Sequence, residues 1–196
     1  MRNGSVVRLE TVYPQNGILK YTLANAGTLT TLAVRIPAWC THFALRINGT
    51  SPETAEYRKQ DGYLYMTRDW HTGDRCEITL DMPVVRVYPN PAVRKDAGCV
   101  AFQRGPVVYC AEEADNGTDL FTLVVPDQAV PEETEEEDPV LGHYIRLKVK
   151  GYREEKTKEL YPILPPVRTE QDVKLLPYAL WGNRGAGGMR VWIRRA

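Results

Sequence analysis

The sequence predicts an all-β protein made of antiparallel β-sandwich units of the jelly-roll kind. Apolar residues recur at every second position in many segments, and turn-forming pairs separate those segments. No long stretch shows the 3.6-residue periodicity of an amphipathic helix. With 196 residues, of which 43% are hydrophobic, the chain can bury one large core or two small ones.

The strand predictions rest on alternation between a buried and a solvated face, which is typical of antiparallel sheets. In segment 76–81, for example, Cys76, Ile78 and Leu80 share one face and polar residues occupy the other. The alternating segments are 17–24, 32–36, 43–48, 76–81, 143–150 and 189–194. A further strand is expected near 160–164. In segment 168–175 we expect at most a short helical turn.

Pairs that tolerate a positive φ angle punctuate these segments and predict tight turns or hairpins. These pairs are Asn16-Gly17, Asn48-Gly49, Asp61-Gly62 and Asn116-Gly117.

Two sandwich units are expected along the chain. The first covers residues 1–112 and is completed by a returning strand within 178–196. The second is a smaller β unit over 113–177. It includes segment 126–142, which is rich in Pro and acidic residues and is therefore expected to form an exposed, mobile loop.

The charge of the chain is balanced, with 25 basic and 25 acidic residues, but it is unevenly distributed. Six of the acids lie in EETEEED at 132–138, so the remaining residues carry 25 bases against 19 acids. A solvated acidic loop is the favoured interpretation of this run, and a calcium or partner site is the alternative.

Neutral overall charge argues against nucleic acid as a partner, because such binders need a basic surface. No stretch of 18 apolar residues predicts a membrane span. The opening residues MRNGSVVRLE lack the apolar centre of a signal peptide, which favours the cytoplasm over secretion without settling the location.

The cysteines and histidines show no catalytic or metal-binding spacing. Cys40, Cys76, Cys99 and Cys110 form no C-x-x-C pair, and we expect them to be buried free thiols. The three histidines, His42, His71 and His143, are also far apart in the sequence and are expected to be ordinary exposed residues.

Carboxylates offer one candidate for enzyme chemistry. Glu112, Glu113 and Asp115 cluster after a predicted strand, and glycosidases use carboxyl groups as acid, base or nucleophile. Acidic clusters are also common in turns, which is the favoured interpretation here. Residues 115–119 also suggest a calcium-binding loop, but they match only the first positions of the EF-hand pattern. The Gly-rich segment 182–188 is expected to link two strands, because no helix follows it to form a phosphate loop.

Aromatic residues offer the second candidate, a carbohydrate-binding surface, because planar rings can stack on sugars. The residues concerned are Trp39, Tyr63, Tyr65, Trp70, Trp181 and Trp192. Packing inside the protein uses the same residue types and is the favoured alternative.

Seven segments, taken in order, resemble the C-terminal region of glycoside hydrolase family 127, once a domain of unknown function, whose members include β-L-arabinofuranosidases. They are YPQNG (13–17), RIPAW (35–39), RINGT (46–50), GYLYMTRDWHTGD (62–74), LDMPV (80–84), AFQRGPVVYCAEEADN (101–116) and PYALWGNRGAGGMRVWI (177–193). The resemblance runs from about residue 5 to 194.

The resemblance implies that catalysis in this family belongs to a separate helical (α/α) barrel that carries the zinc and the cysteine nucleophile. None of that region is in this sequence. We therefore expect no catalytic residue, cofactor or metal in this chain, and a role as an accessory region that supports the barrel. A second copy of the chain and a sugar are further candidate partners, and a carbohydrate-binding module for arabinose-containing plant glycans is the alternative function. An accessory region should also expose an apolar patch of several hundred Å² where the barrel docks.

Overall fold

The computed structural model describes residues 4–196 and divides them into two compact units. The first unit ends at Pro83 and the second comprises Val84–Ala196. Their regular secondary structure is mainly β-strand in mostly antiparallel sheets, which confirms the predicted fold class. None of the helices in residues 4–196 has the length and apolar character needed to cross a membrane.

The first unit is a sandwich of two antiparallel sheets. Its strands are β1 (Val6–Glu10), β2 (Ile18–Asn25), β3 (Thr31–Arg35), β4 (Phe43–Ile47), β5 (Tyr57–Gln60), β6 (Tyr63–Thr67) and β7 (Arg75–Leu80), with one 3₁₀ turn at Thr54–Glu56. One sheet has the order β1-β2-β7-β4 and the other has the order β3-β6-β5. The turn Asp61-Gly62 joins β5 to β6 with positive φ at both residues, as its sequence predicts.

Apolar side chains of the two sheets meet in one core, and the alternation in the sequence decides which residues enter it. Leu23 and Ile78 come from the first sheet, and Leu64 and Met66 come from the second; all four are fully buried. The thiol of Cys76 lies 3.5 Å from the sulfur of Met66 and so bridges the two sheets.

The second unit contains nine strands and short helical turns. The strands are β8 (Val84–Val87), β9 (Cys99–Arg104), β10 (Val107–Glu112), β11 (Leu123–Val125), β12 (Glu132–Asp138), β13 (Gly142–Glu154), β14 (Arg168–Pro177), β15 (Met189–Arg190) and β16 (Ile193–Arg195). The turns are a one-turn helix α1 (Glu113–Asn116) and 3₁₀ turns at Arg94–Asp96, Leu120–Thr122 and Tyr178–Leu180.

These nine strands form one sheet that closes on itself. Its order is β15-β10-β14-β13-β11-β16-β9-β8, with β12 on the side of β13 and a further pairing of β10 with β9. Six strands, β10, β14, β13, β11, β16 and β9, therefore form a ring. All neighbours in this ring are antiparallel except β11 and β16, which are parallel.

Every second residue of the ring strands points into a common interior. The inward residues include Val100, Phe102, Tyr109, Ala111, Leu123, Val125, Leu147, Val149, Val173, Leu175 and Ile193. A smaller apolar cluster of Cys110, Leu141, Tyr144 and Leu176 lies apart from this interior, and Leu180, Met189 and Val191 pack on it.

The boundary between the units differs from the one that the sequence predicts. Residues 99–112 were expected in the first sandwich, but β9 and β10 pair with β16 and β14 and fill the core of the second unit. The chain end within 178–196 does return to these strands through β15 and β16, so this pairing lies wholly within the second unit. The separate unit predicted for 113–177 is part of the same closed sheet.

Three local predictions were also wrong. The acidic run in 126–142 is not a mobile loop, because 132–138 forms β12 and pairs with β13 over seven residues. The segment 168–175 is a strand whose Val173 and Leu175 are buried in the core, not a helical turn. The segment 160–164 forms no strand and is fully exposed.

Replacing Gly151 is expected to destabilise the second unit. A Cβ atom at this position of β13 would lie 2.6 Å from the carbonyl oxygen of Val124 and 3.0 Å from a methyl group of Val173. Gly151→Ala should lower the free energy of unfolding by about 1–3 kcal/mol, the usual cost of overpacking. Urea denaturation followed by circular dichroism measures this change.

The matched control is Gly187→Ala, where the nearest atom to the added Cβ is 3.7 Å away. Its free energy of unfolding should stay within about 0.5 kcal/mol of the parent. If the two substitutions lowered the free energy of unfolding equally, the result would contradict the close approach of β13 to β11.

Candidate functional site

The carboxylates singled out in the sequence meet an arginine from the Gly-rich segment of the second unit. Arg184 donates to Glu112 at 2.5 Å, and its two terminal nitrogens donate to both oxygens of Asp115 at 2.9 Å and 2.5 Å. The second oxygen of Glu112 accepts from the backbone N–H of Gly182 at 2.6 Å. One guanidinium thus holds two carboxylates, and we call this group the Arg184 clamp.

Local structure places the two acids side by side. Glu112 ends β10, and the single turn of α1 that follows brings Asp115 back beside it. Asn116 fixes this turn, because its side-chain amide donates to the carbonyl groups of Glu112 and Lys174 and accepts from the N–H of Lys174. The turn is therefore tied to β14.

A second arginine extends the cluster towards β12. Arg146 on β13 donates to Asp115 at 3.0 Å and to Glu136 at 2.6 Å. The hydroxyl of Tyr144 donates to Glu136 at 2.9 Å and accepts from Arg146. Glu136 belongs to the run 132–138, so part of the predicted solvated acid run takes part in this network.

Burial and pairing act in opposite directions on the ionisation of this cluster. Burial disfavours the charged form of Asp115, whose side chain is 11% exposed, but the hydrogen bonds from Arg184 and Arg146 outweigh it. The pKa of Asp115 therefore lies below its ordinary value. The hydrogen bonds that Arg184 donates to Asp115 likewise raise the pKa of Arg184. Burial, together with the bond to Glu136, raises the pKa of Tyr144 to about 12.

Glu113, the third acid, binds the backbone of the Gly-rich segment. Its carboxylate accepts from the N–H of Gly188 at 2.7 Å, and its own N–H donates to the carbonyl of Gly188 at 3.1 Å. The cavity between these residues and the Gly-rich segment measures about 70 Å³. Sites for small ligands usually measure about 300–1,000 Å³.

The arrangement supports a structural role for all three acids. A general acid or base must exchange a proton with a substrate, whereas Glu112 and Asp115 already accept charged hydrogen bonds from Arg184. Glu113 faces a cavity with no room for a sugar ring. The geometry therefore favours a clamp that holds segment 182–188 against β10 and α1.

The aromatic candidates do not form a common platform in the first unit. Tyr63 and Tyr65 are 6.2 Å apart but tilted by 44°, and Arg35 and Arg58 lie over their rings. Trp70 is buried, with 5% of its surface exposed. In the second unit, Trp181 is exposed and Trp192 is half-buried.

One pair of rings in the first unit is nearly parallel. Trp39 and Tyr13 lie 6.5 Å apart, with an angle of 17° between their planes. Tyr13 is exposed and Trp39 is half-buried. Tyr13 was not among the sequence candidates, because no pattern along the chain places it beside Trp39.

The four cysteines are free and buried, as predicted. Burial raises the pKa of Cys76 and of Cys110 to about 12, so both remain thiols at neutral pH and neither is an activated nucleophile.

The remaining candidates for metal binding are dispersed or already paired. His42, His71 and His143 are all exposed. Asp119, in the suggested calcium loop, pairs with Lys156 at 2.6 Å. Within residues 4–196, no three His, Cys, Asp or Glu side chains come close enough together to hold a metal ion. This donor set does not fit the zinc that the family resemblance implies.

Sequence reasoning found the three acids but missed the cations that pair with them. Neither Arg184 nor Arg146 was among the candidate residues in the sequence. The available signal was charge complementarity, because a single arginine stands in the Gly-rich segment and three acids stand in 112–115.

Comparison with family models divides the chain at the same place as the structure. Residues 2–82 match the model described as the β-L-arabinofuranosidase GH127 middle domain. Residues 84–194 match the glycoside hydrolase family 127 C-terminal domain. The match is thus nearly as long as the chain.

Individual relatives agree with the family models. The chain is 32% identical over 207 residues to a non-reducing end β-L-arabinofuranosidase of Bifidobacterium longum subsp. longum, covering 98% of this chain and 31% of the relative. A solved GH127 β-L-arabinofuranosidase from Geobacillus stearothermophilus T6 matches with a TM-score of 0.87 and 35% identity, over 99% of this chain and 31% of that one. A solved GH127 β-arabinofuranosidase matches with a TM-score of 0.85 and 27% identity, over 98% and 32%. The chain thus spans about a third of the length of these relatives.

The Arg184 clamp predicts a stability that depends on pH. Because the pKa of folded Asp115 lies below its unfolded value of about 3.9, the stabilisation is complete above that pH and is lost as the pH falls through the folded pKa. Asp115→Asn should lower the free energy of unfolding by about 2–4 kcal/mol at pH 7, since it leaves Arg146 and Arg184 undercompensated. The difference in free energy of unfolding between this variant and the parent should become smaller as the pH falls. Urea denaturation at a series of pH values measures both effects.

The control is Asp127→Asn, which removes a half-exposed partner of Arg195. This substitution should change the free energy of unfolding by less than about 1 kcal/mol at every pH, as is usual for exposed ion pairs. If Asp115→Asn lowered the free energy of unfolding by the same amount from neutral to acid pH, the result would argue against the clamp.

Proposed function

This chain belongs to glycoside hydrolase family 127, and from that membership we propose that it is a non-catalytic supporting region of a β-L-arabinofuranosidase-like enzyme. The relatives that it matches are about three times longer. On this proposal, the remainder of such an enzyme carries the catalytic barrel and the zinc, and the two β units described here pack against it.

The Arg184 clamp is the observation that carries the proposal. The acids that the sequence offers for catalysis hold the chain together instead, since Glu112 and Asp115 share one guanidinium. An acid or base for glycoside hydrolysis needs a cleft that accepts the sugar beside it. The cavity at Glu113, about 70 Å³, is too small for that purpose.

Exposed apolar side chains support packing against a further part of an enzyme. In the first unit, Val6, Leu9 and Val12 are 53%, 48% and 56% exposed along β1 and the turn after it. Contiguous apolar patches on a protein surface mark interaction sites. Exposed apolar residues would suit a surface on which a further part of an enzyme docks.

The isolated chain is expected to release no aglycone from an aryl β-L-arabinofuranoside, because Glu112 and Asp115 are already paired with Arg184 and the cavity at Glu113 has no room for a sugar. A chromogenic assay of the purified chain measures this.

Should hydrolysis appear, Glu112→Gln with Glu113→Gln and the control Glu159→Gln would identify its source. Any such hydrolysis would overturn the proposal, and its loss in the double variant, with unchanged folding by circular dichroism and with activity retained in the control, would assign it to these two acids.

A carbohydrate-binding module is the second candidate, and the parallel rings of Tyr13 and Trp39 favour it. Rings in this orientation can offer a flat apolar face to a sugar. The rings of Tyr63 and Tyr65 are tilted relative to each other and have arginines over them, so this pair provides an internal comparison.

Isothermal titration with arabino-oligosaccharides separates the two functions. A supporting region gives no binding heat at millimolar sugar, which is the result that we expect. A binding module gives heat that Trp39→Ala abolishes and Tyr63→Ala retains, and that result would establish the second candidate.

A further inference from the structure

A groove lies on the outer face of β1, β2 and β7 in the first unit. Its volume is about 560 Å³, which is within the usual range of about 300–1,000 Å³ for small-ligand sites. The lining combines three short residues, Thr22, Ala24 and Gly73, with long charged side chains, and this difference in length makes the surface concave. The charged lining residues are Arg8, Glu10, Lys20, Arg75 and Glu77.

Two arginines of the groove lie in one row across the sheet. Thr22 of β2 stands opposite Arg8 of β1 on one side and opposite Arg75 of β7 on the other. Neighbouring strands are about 4.8 Å apart, so the two arginines start roughly 10 Å apart, with Thr22 between them. Neither guanidinium forms a salt bridge, a hydrogen bond or a ring contact with another residue in 4–196. Each guanidinium therefore keeps its five N–H donors available.

The next row of the groove alternates in charge. Lys20 of β2 stands opposite Glu10 of β1 and opposite Glu77 of β7. The ammonium group of Lys20 lies 3.9 Å from a carboxylate oxygen of Glu77. The groove thus offers hydrogen-bond donors in the arginine row and mainly acceptors in the row beside it. Three bases against two acids give its charged lining a net charge of +1.

We propose that this groove binds a uronate unit of a glycan, with the sugar carboxylate on Arg8 and Arg75 and sugar hydroxyls on Glu10 and Glu77. The planar fork of a guanidinium matches the two oxygens of a carboxylate. Ionised Glu side chains are pure acceptors, which suits the hydroxyl donors of a sugar. The inference goes beyond the supporting role proposed above, which requires no sugar at this surface, and it is tested separately.

The two rows together favour an acidic sugar over other ligands. A simple anion would be attracted to the arginines but would gain no hydrogen bond from Glu10 or Glu77, whose charges repel it. A protein surface also fits poorly, because the centres of protein interfaces are depleted of charged residues and five lining residues here are charged. A ligand with one carboxylate and several hydroxyls matches both rows.

Two grooves of the second unit provide a contrast, because their cations already have partners. In one of them, Lys150 pairs with Asp172 at 2.7 Å. In the other, Lys156 pairs with Asp119 at 2.6 Å, and Arg153 donates to backbone carbonyl groups at its rim. The unpaired arginines thus distinguish the groove of the first unit.

Isothermal titration of the purified chain with trigalacturonate, at low salt and without calcium, tests the proposal. We expect binding heat, and the affinity should fall as salt is added, because ions screen exposed charges. The methyl ester of the same trisaccharide should give no heat at millimolar concentration, since it lacks the carboxylates. Neutral arabino-oligosaccharides should give none for the same reason.

Arg8→Gln with Arg75→Gln should raise the dissociation constant for trigalacturonate more than about tenfold, since the charged hydrogen bonds to the carboxylate are lost. The matched control is Arg35→Gln with Arg58→Gln, which removes two positive charges from the other sheet of the same unit. The control should stay within about twofold of the parent. All four arginines are exposed, so the unfolding temperatures of both variants should match that of the parent.

Four results would overturn the proposal. Absence of heat from millimolar trigalacturonate is the first, and equal binding of its methyl ester is the second, since the carboxylate would then not be recognised. Equal affinity for acetate would show a site for any anion rather than for a sugar. Equal weakening of binding in the two double variants would show an effect of net charge alone.

Discussion

The second unit depends on one strand that pairs with different neighbours along its length. Val107 and Val108 of β10 pair with β9, and residues 109–111 pair with β14. This exchange closes six strands into a ring, so that Tyr109 and Ala111 enter an interior that solvent does not reach. Closure removes open strand edges within the ring and gives its alternating apolar residues a common interior.

The exchange also fixes where the charges lie. Because β10 ends against β14 and β15, Glu112 emerges at the point where the chain returns through segment 182–188. Buried charges are costly unless each has a partner, and here Arg184 and Arg146 supply partners for Glu112, Asp115 and Glu136. The network thereby ties the end of the chain to the ring. The acids that cluster at 112–115 in the sequence thus contribute to the fold.

The interiors of both units are filled with apolar side chains, and the acid cluster encloses only a small cavity. Exposed apolar residues lie along β1 in the first unit and in segment 155–167 of the second. The matched members of the family are about three times longer than this chain.

The sequence by itself determined the class of fold, the family, several turns and the burial of the cysteines. These features depend on local signals, such as period-two alternation in 76–81 or the tolerance of Asp61-Gly62 for positive φ. Only the tertiary structure decided which strands share a core. It places β9 and β10 in the second unit, whereas the sequence predicted them in the first. It also made a strand of 132–138, where no apolar alternation exists, because β13 supplies the backbone partners and Lys148, Arg146 and Arg104 supply the countercharges. The sequence could not predict the Arg184 clamp, because its hydrogen bonds join residues about 70 positions apart. The sequence pattern around each residue does not specify such a distant partner.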